Sequence, residues 1–136
     1  MGSALSRWSW KTGDEVKGCL TRFIAEQKIS PAQLTAIGAL THAVLLYFDW
    51  DKRDYLRIPV TEQVEVASLI GDVAEDPAGH SALHIHLVIG KRDGTAMAGH
   101  LGEAHVPPTL EVIVTESPAH LRKTKDPESG LALIQI

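Results

Sequence analysis

The sequence predicts an α+β domain in which one or two helices flank a largely antiparallel β-sheet. One N-terminal segment carries apolar residues at helical spacing, and most later segments are short, apolar and bounded by turn residues, as strands are. A chain of 136 residues with 44% hydrophobic content is long enough to bury one core. We therefore expect a single domain over residues 1–136, with flexible segments near 1–4 and 118–129.

The first elements are expected to be a strand and then a helix. Polar and apolar residues alternate over Leu5–Trp10, which predicts a strand with Trp8 and Trp10 on one face. Asp14 is the expected N-cap of a helix that ends near Lys28. The apolar positions of this helix recur at three- and four-residue spacing: Val16, Cys19, Leu20, Phe23 and Ile24.

From Leu34 onward the chain consists of short β-like segments separated by turn residues. Pro118–Gly130 is expected to be an exposed loop, and Leu131–Ile136 is apolar enough for a final strand. The six clearest strands between them are Thr41–Trp50, Tyr55–Val60, Val64–Val73, Leu83–Ile89, Thr95–Leu101 and Leu110–Thr115.

The composition excludes several classes of protein. With 13 Lys plus Arg against 17 Asp plus Glu, the formal net charge is −4, which argues against a broad basic face for nucleic acid. The longest uncharged apolar stretch, Leu34–Phe48, is too short to span a membrane. Cys19 is the only cysteine, so neither an intramolecular disulfide nor a multi-cysteine zinc site is available. We expect a cytoplasmic protein without a membrane partner.

Three of the seven histidines fall within one predicted hairpin. His84 and His86 stand two residues apart on its first strand, so they share a face with their Cα atoms about 6.6 Å apart. His100 lies on the second strand. The other face of the first strand is a continuous aliphatic row that belongs to the core: Leu83, Ile85, Leu87 and Ile89. The histidines therefore face a cleft, a neighbouring subunit or water.

The length of the hairpin turn decides whether His100 joins the histidine pair, because a shift of one residue moves every side chain to the other face. A two-residue turn at Asp93–Gly94 would put His100 on the wrong face. A three-residue turn at Arg92–Gly94 would put it directly across from His86. The second is favoured, since such turns end in a left-handed residue and a glycine stands at that position.

Three imidazoles with an open fourth position predict a divalent-metal site of the zinc type, formed by His84, His86 and His100. The donor set also suits copper, nickel and iron, and the alternative is three histidines at a surface or an interface. An ion without an anionic protein ligand should attract a small anionic ligand. Ala98 and Gly102 would leave room for that ligand.

Two glutamates are candidates for orienting a ligand or acting as a base. Glu111 is counted among the candidate ligand-binding residues, whereas Glu103 is expected on the opposite face of its strand, and the sequence identifies no catalytic residue. The remaining histidines are expected to be ordinary residues, with His80 as a reserve ligand: His42, His80, His105 and His120.

Ten short motifs are spread over almost the whole chain. They are Gly13–Val16, Gly38–Leu40, Tyr47–Asp49, Tyr55, Glu65–Gly71, His84–His86, Asp93–Gly94, Gly99–Leu101, Val106 and Pro108–Val112. Together they resemble the plant and prokaryote conserved (PPC) domain family in its stand-alone prokaryotic form, which is often labelled DNA-binding. The resemblance implies a homotrimer and a metal, usually zinc, on His84, His86 and His100.

The resemblance gives little support for DNA binding by this chain. In plant members DNA contact comes from an AT-hook with an Arg-Gly-Arg-Pro core, and that motif is absent from this sequence. The stretch matching Gln63–Leu69, which contacts partner proteins in plants, lacks the plant-type opening. A trimer would carry three times −4, a formal charge of −12. The only candidate nucleic-acid-binding residues are Arg122, Lys123 and Lys125.

Three functions remain open from the sequence. The first is a homotrimeric binding module with a three-histidine metal site and a small anionic ligand. The second is a metal-dependent enzyme, a hydrolase or lyase that uses a metal-bound water, which would also need a proton-transfer group within reach. The third is a DNA-associated or regulatory protein.

Overall fold

The computed structural model describes residues 12–117 and 122–135, which form one helix and nine strands. The predicted strand at Leu5–Trp10 lies outside the described residues. The elements in chain order are α1 Val16–Gln27, β1 Ala32–Leu40, β2 His42–Asp49, β3 Asp54–Val60, β4 Val64–Glu75, β5 Ser81–Gly90, β6 Ala96–His105, β7 Leu110–Glu116, β8 Arg122–Lys125 and β9 Ala132–Gln135.

Helix α1 begins one residue later than the sequence predicted. Glu15 is the N-cap, and its carboxylate accepts hydrogen bonds from the backbone N–H groups of Lys17 at 3.1 Å and Gly18 at 2.6 Å. Asp14 is still part of an extended segment, since its carbonyl accepts the N–H of Val106 at 3.1 Å. The predicted end is confirmed, because Lys28 is the C-cap in the left-handed conformation.

Seven strands form one continuous sheet in the order β3-β2-β6-β5-β4-β1-β7, and all the neighbours in this order are antiparallel. This confirms the predicted α+β fold with a largely antiparallel sheet. Strand β1 was not delimited from the sequence, although its buried and exposed residues alternate over Ala32–Ile37.

The expectation of an exposed loop over Pro118–Gly130 is wrong for residues 122–125. These form β8, which pairs with β9 and meets β4 through one parallel bridge between Glu75 and Arg122. The physical reason is Lys123, which is only 5% exposed and whose ammonium lies 3.1 Å from the carboxylate of Asp72. An inward-facing cation with an acidic partner fixes this segment against the sheet.

The two faces of the sheet have different roles. Helix α1 packs against β5 and β6 on one face, where the core contains Leu45, Leu87, Ile89 and Leu101. We call the other face the open face. It carries the histidine row together with exposed apolar side chains, namely Ile37, Tyr55, Ile70, Val88 and Ile113.

Within the described residues no helix has both the length and the hydropathy needed to cross a lipid bilayer. Helix α1 has 12 residues, well short of the roughly 20 that a membrane span requires.

Candidate metal centre

The three-residue turn between β5 and β6 is confirmed by its hydrogen bonds. The N–H of Lys91 donates to the carbonyl of Thr95 at 2.8 Å, and Gly94 has φ 84°, in the left-handed region. The carboxylate of Asp93 accepts the N–H of Thr95 at 2.9 Å, which stiffens the turn. In the resulting register, residue 86 pairs directly with His100.

This register gathers the three predicted histidines. One ring nitrogen from each of His84, His86 and His100 lies within 4.8 Å of the others. The two Nε2 atoms of His84 and His86 are 3.1 Å apart. Two imidazole nitrogens on a tetrahedral zinc ion would be about 3.3 Å apart, given Zn–N bonds of about 2.0–2.1 Å. The donor set and the spacing therefore fit a divalent metal ion.

The orientation of His84 is set by a residue of the neighbouring strand. Oδ2 of Asp72, on β4, lies 3.5 Å from Nδ1 of His84. Histidines that bind metals usually direct their second ring nitrogen at a carboxylate or a carbonyl, because this fixes the ring and leaves the first nitrogen free to bind. Asp72 thus holds His84 with its Nε2 toward the other two histidines.

The negative charge of Asp72 is balanced by the ammonium of Lys123, on β8. The Nζ of Lys123 lies 3.1 Å from Oδ1 of Asp72, although this oxygen has no well-aligned hydrogen bond. The contact is therefore best described as an ion pair. Burial alone would raise the pKa of the Asp72 carboxyl, but His84 and Lys123 outweigh burial and lower that pKa. The carboxylate stays ionised and can accept a proton of His84.

The protonation state of the cluster favours metal binding. Burial, followed by the charge of His84, lowers the pKa of the His86 imidazole. Burial, followed by the charges of His86 and His84, also lowers the pKa of His100. Both rings are consequently neutral at pH 7, which is the state whose lone pairs bind a metal ion.

A cleft of about 150 Å³ opens beside the cluster. It lies where β5 and β6 separate, because their ladder ends at the pair formed by His86 and His100. Two histidines of the cluster, His84 and His100, line the cleft together with Lys17. The other lining residues are largely apolar: Leu46, Tyr55, Leu83, Ile85 and Leu101. The ring of Tyr55 meets that of His100 edge-on, with centroids 5.3 Å apart.

The three predicted ligand-binding residues do not converge on this cleft. Ala98 lies on the exposed histidine side of β6, paired with Val88. Gly102 offers no space, since a Cβ there would stand 2.8 Å from the carbonyl oxygen of Val44. Glu111 lies on β7, and β4 and β1 separate that strand from β5. Glu111 is therefore separated from the histidine cluster within the protomer, and this could not be predicted because strand order cannot be read from local sequence.

Glu103 was expected on the face opposite the histidines, and this is wrong. Leu45 pairs with Leu101, but the preceding residue of β2, Val44, pairs with Glu103. Gly102 is the additional residue of a β-bulge, so the side chains of β6 that follow it lie on the opposite face from the one that simple alternation predicts. Glu103 thus lies on the open face, with a carboxylate oxygen 2.7 Å from Nε2 of His105.

The predicted nucleic-acid-binding run is divided by the fold. Lys123 is buried and paired, so it cannot contact a phosphate in this conformation. Arg122 and Lys125 are exposed, and the guanidinium of Arg122 lies 3.9 Å from the carboxylate of Glu75. Two separated surface cations make a weaker electrostatic patch than three adjacent ones.

The reserve ligand His80 stands apart from the cluster. Its ring is exposed in the connection between β4 and β5, 3.9 Å from the carboxylate of Asp76. His120 lies outside the described residues. The sequence did not point to Asp72, and it pointed to Lys123 only as a contact for nucleic acid. The roles of both residues depend on pairing between distant strands, which no local motif indicates.

Comparison with known proteins gives one family match. A family model described as the Plants and Prokaryotes Conserved (PCC) domain matches residues 9–118. No curated protein matches the chain significantly.

Three solved structures share the fold over nearly the whole chain. A metal-containing protein from Archaeoglobus fulgidus is 29% identical with a TM-score of 0.84, and the match covers 99% of this chain and 97% of that one. A plant- and prokaryote-conserved protein from Pyrococcus horikoshii is 27% identical with a TM-score of 0.86, covering 99% and 95%. A "putative DNA-binding protein" from Bacteroides thetaiotaomicron is 25% identical with a TM-score of 0.88, covering 96% of both.

Proposed function

The chain belongs to the Plants and Prokaryotes Conserved domain family, and we propose that it is a homotrimeric binding module with one divalent metal ion per protomer. His84, His86 and His100 would hold the ion, and zinc is the candidate because three imidazoles with an open fourth position are typical of zinc sites. The observation that carries this proposal is the convergence of their ring nitrogens within 4.8 Å, with Asp72 orienting His84 from behind. The metal-containing protein from Archaeoglobus fulgidus, which shares the fold, supports it.

The bound ion would recruit a small anionic ligand. Three neutral imidazoles leave the full +2 charge uncompensated, so an anion at the open position is favoured. The adjoining cleft of about 150 Å³ suits a small molecule, and Lys17 in its lining adds a second positive group. Tyr55 supplies a hydroxyl-bearing ring at the same cleft.

The open face supports assembly into a homotrimer. Ile37 and Ile70 are each 57% exposed, and Ile113 is 48% exposed. They lie on adjacent strands, since Thr35 pairs with both Ile70 and Ile113. A contiguous apolar surface on a small domain marks an interaction site, and copies of the same chain would bury it.

A DNA-associated role is the second candidate, favoured by the naming of the Bacteroides thetaiotaomicron protein. The net charge of −4 per protomer opposes it, and only Arg122 and Lys125 of the basic run are exposed. A salt-dependent mobility shift that weakens in the Arg122→Ala/Lys125→Ala variant would support this role. The absence of a mobility shift at physiological ionic strength would contradict a DNA-associated role.

The metal-dependent enzyme gains no support. No carboxylate is among the residues that line the cleft in the described part of the chain, and Glu111 stands on a distant strand. Asp72, the carboxylate nearest to the histidines, is engaged with His84 and Lys123. The cytoplasmic localisation expected from the single cysteine stays a prediction.

Elemental analysis of tag-free protein tests the proposal. We expect about one transition-metal ion per protomer in the wild type and in His80→Ala, whose ring stands outside the cluster, and a loss of that ion in His86→Ala. Light scattering on the same samples should give a trimer. Metal-free wild-type protein that does not take up zinc, or a monomer in solution, would contradict the corresponding part of the proposal.

A further inference from the structure

A second group of potential metal ligands lies on the open face, away from the three-histidine cluster. His42 on β2 pairs with His105 on β6, and Val44 pairs with Glu103. The bulge at Gly102 is what brings Glu103 to the same face as the two histidines. Without that additional residue, Glu103 would point into the core.

The three side chains converge. One ring nitrogen of each histidine and a carboxylate oxygen of Glu103 all lie within 4.8 Å of one another. The imidazoles of His42 and His105 stack with centroids 4.4 Å apart and planes 21° apart. The side chains of Glu103 and His105 are 48% and 23% exposed, so an ion from solvent can reach them.

Hydrogen bonds determine which ring nitrogen of His105 carries the hydrogen and which carries the lone pair. Its Nδ1 lies 3.2 Å from the carbonyl oxygen of Gly13, and a carbonyl only accepts, so Nδ1 carries the hydrogen. The lone pair of the neutral ring is then on Nε2, the atom that lies 2.7 Å from Glu103. A proton or a metal ion must sit between these two acceptors.

The same argument applies to His42. The hydroxyl of Thr41 lies 3.3 Å from the carbonyl oxygen of His105 and can only donate to it. That hydroxyl oxygen, 3.0 Å from Nδ1 of His42, then accepts a hydrogen bond from the ring. Both histidines therefore direct Nδ1–H at an oxygen, so the lone pair of each neutral ring is on Nε2, as in imidazoles that bind metals.

We propose that His42, Glu103 and His105 form a second divalent-cation site, separate from the three-histidine cluster. Two imidazoles and one carboxylate are a donor set suited to zinc or ferrous iron, with positions left for water or a ligand. The bound ion carries a net charge of +1 in this site, because the carboxylate cancels one of its two charges. The site is thus less attractive to anions than the three-histidine cluster. The inference does not depend on the metal content of that cluster.

The test uses the whole 136-residue chain with His84, His86 and His100 replaced by alanine, so that the first cluster is removed. We expect isothermal titration with zinc to show one saturable site per protomer. Adding Glu103→Gln should weaken zinc binding at least tenfold, whereas Glu111→Gln, a matched change on β7, should leave it unchanged. Absence of saturable binding, or equal effects of the two glutamine variants, would overturn the proposal and leave only an ion pair between Glu103 and His105.

Nuclear magnetic resonance of the wild-type chain provides a second readout if the triple variant does not fold. Zinc should shift the Nε2 resonances of His42 and His105 and leave their Nδ1 resonances in the protonated range. A zinc titration that perturbs only His84, His86 and His100 would contradict the second site.

Discussion

Oδ2 of Asp72 lies 3.5 Å from Nδ1 of His84. Asp72 is on β4, the strand adjacent to β5, which carries His84 and His86. Because this contact occupies one ring nitrogen, the other is free to face His86 at 3.1 Å. The carboxylate is in turn held by the buried ammonium of Lys123. The metal centre proposed here is therefore supported by a chain of contacts that runs from β8 through β4 to β5.

Replacing Asp72 by asparagine should weaken metal binding without removing a ligand. We expect the zinc affinity of Asp72→Asn to fall by about 10–100-fold, since a neutral amide orients the His84 ring less firmly than a carboxylate does. Competition with a chromophoric chelator measures this affinity. Asp51→Asn, a change in the exposed turn after β2, serves as the control. Equal affinities in the two variants would show that Asp72 does not support the site.

Replacing Lys123 by methionine should destabilise the fold. The change keeps the volume of the side chain but leaves Asp72 without its cationic partner, and we expect a loss of about 1–3 kcal/mol. Arg122→Met and Lys125→Met change exposed side chains and should stay within about 0.5 kcal/mol of the wild type. Urea denaturation at one fixed protein concentration compares them. Three equal losses would contradict the structural role of Lys123.

Deleting Thr95 should abolish metal binding. The three-residue turn then pairs Lys91 with Ala96 instead of Thr95, and this one-residue shift puts His100 opposite Leu87, on the face away from His86. Gly94→Ala is the control, since it keeps the register while it strains the left-handed position, whose φ is 84°. We expect this control to lose about 1 kcal/mol of stability but to keep its metal. Retention of the metal after the deletion would show that the register does not assemble the site.

A charge on the open face should prevent assembly of the proposed trimer. Ile70 is 57% exposed in the protomer, and Ile70→Asp would bury a carboxylate in the proposed interface. We expect monomers by light scattering. Leu133→Asp alters another exposed apolar residue, on β9 and 44% exposed, and should leave the proposed trimer intact. A trimer that survives Ile70→Asp would require another interface.

Local sequence determined much of the fold and the core of the candidate site. The helical spacing of Val16 and Leu20 and the alternation around His84 reported on local geometry. Gly94 then fixed the turn, and with it the partner of His100. These features depend on residues close together in the chain, so the sequence was enough to predict them.

The remaining features depend on contacts between distant segments. Asp72 reaches His84 only through the pairing of β4 with β5, and Lys123 only through the packing of β8. Glu103 was placed on the wrong face because the bulge at Gly102 arises from the fit of β6 against β2. A glycine in a strand was the one local signal for that bulge.

We have proposed that His84, His86 and His100 bind one metal ion in each protomer. Anomalous diffraction at the zinc edge, from crystals of tag-free protein grown with zinc, would locate that ion. We expect one peak per protomer at about 2.0–2.1 Å from a nitrogen of each of the three rings. Crystals in which the three imidazoles are ordered and no anomalous peak lies between them would contradict it.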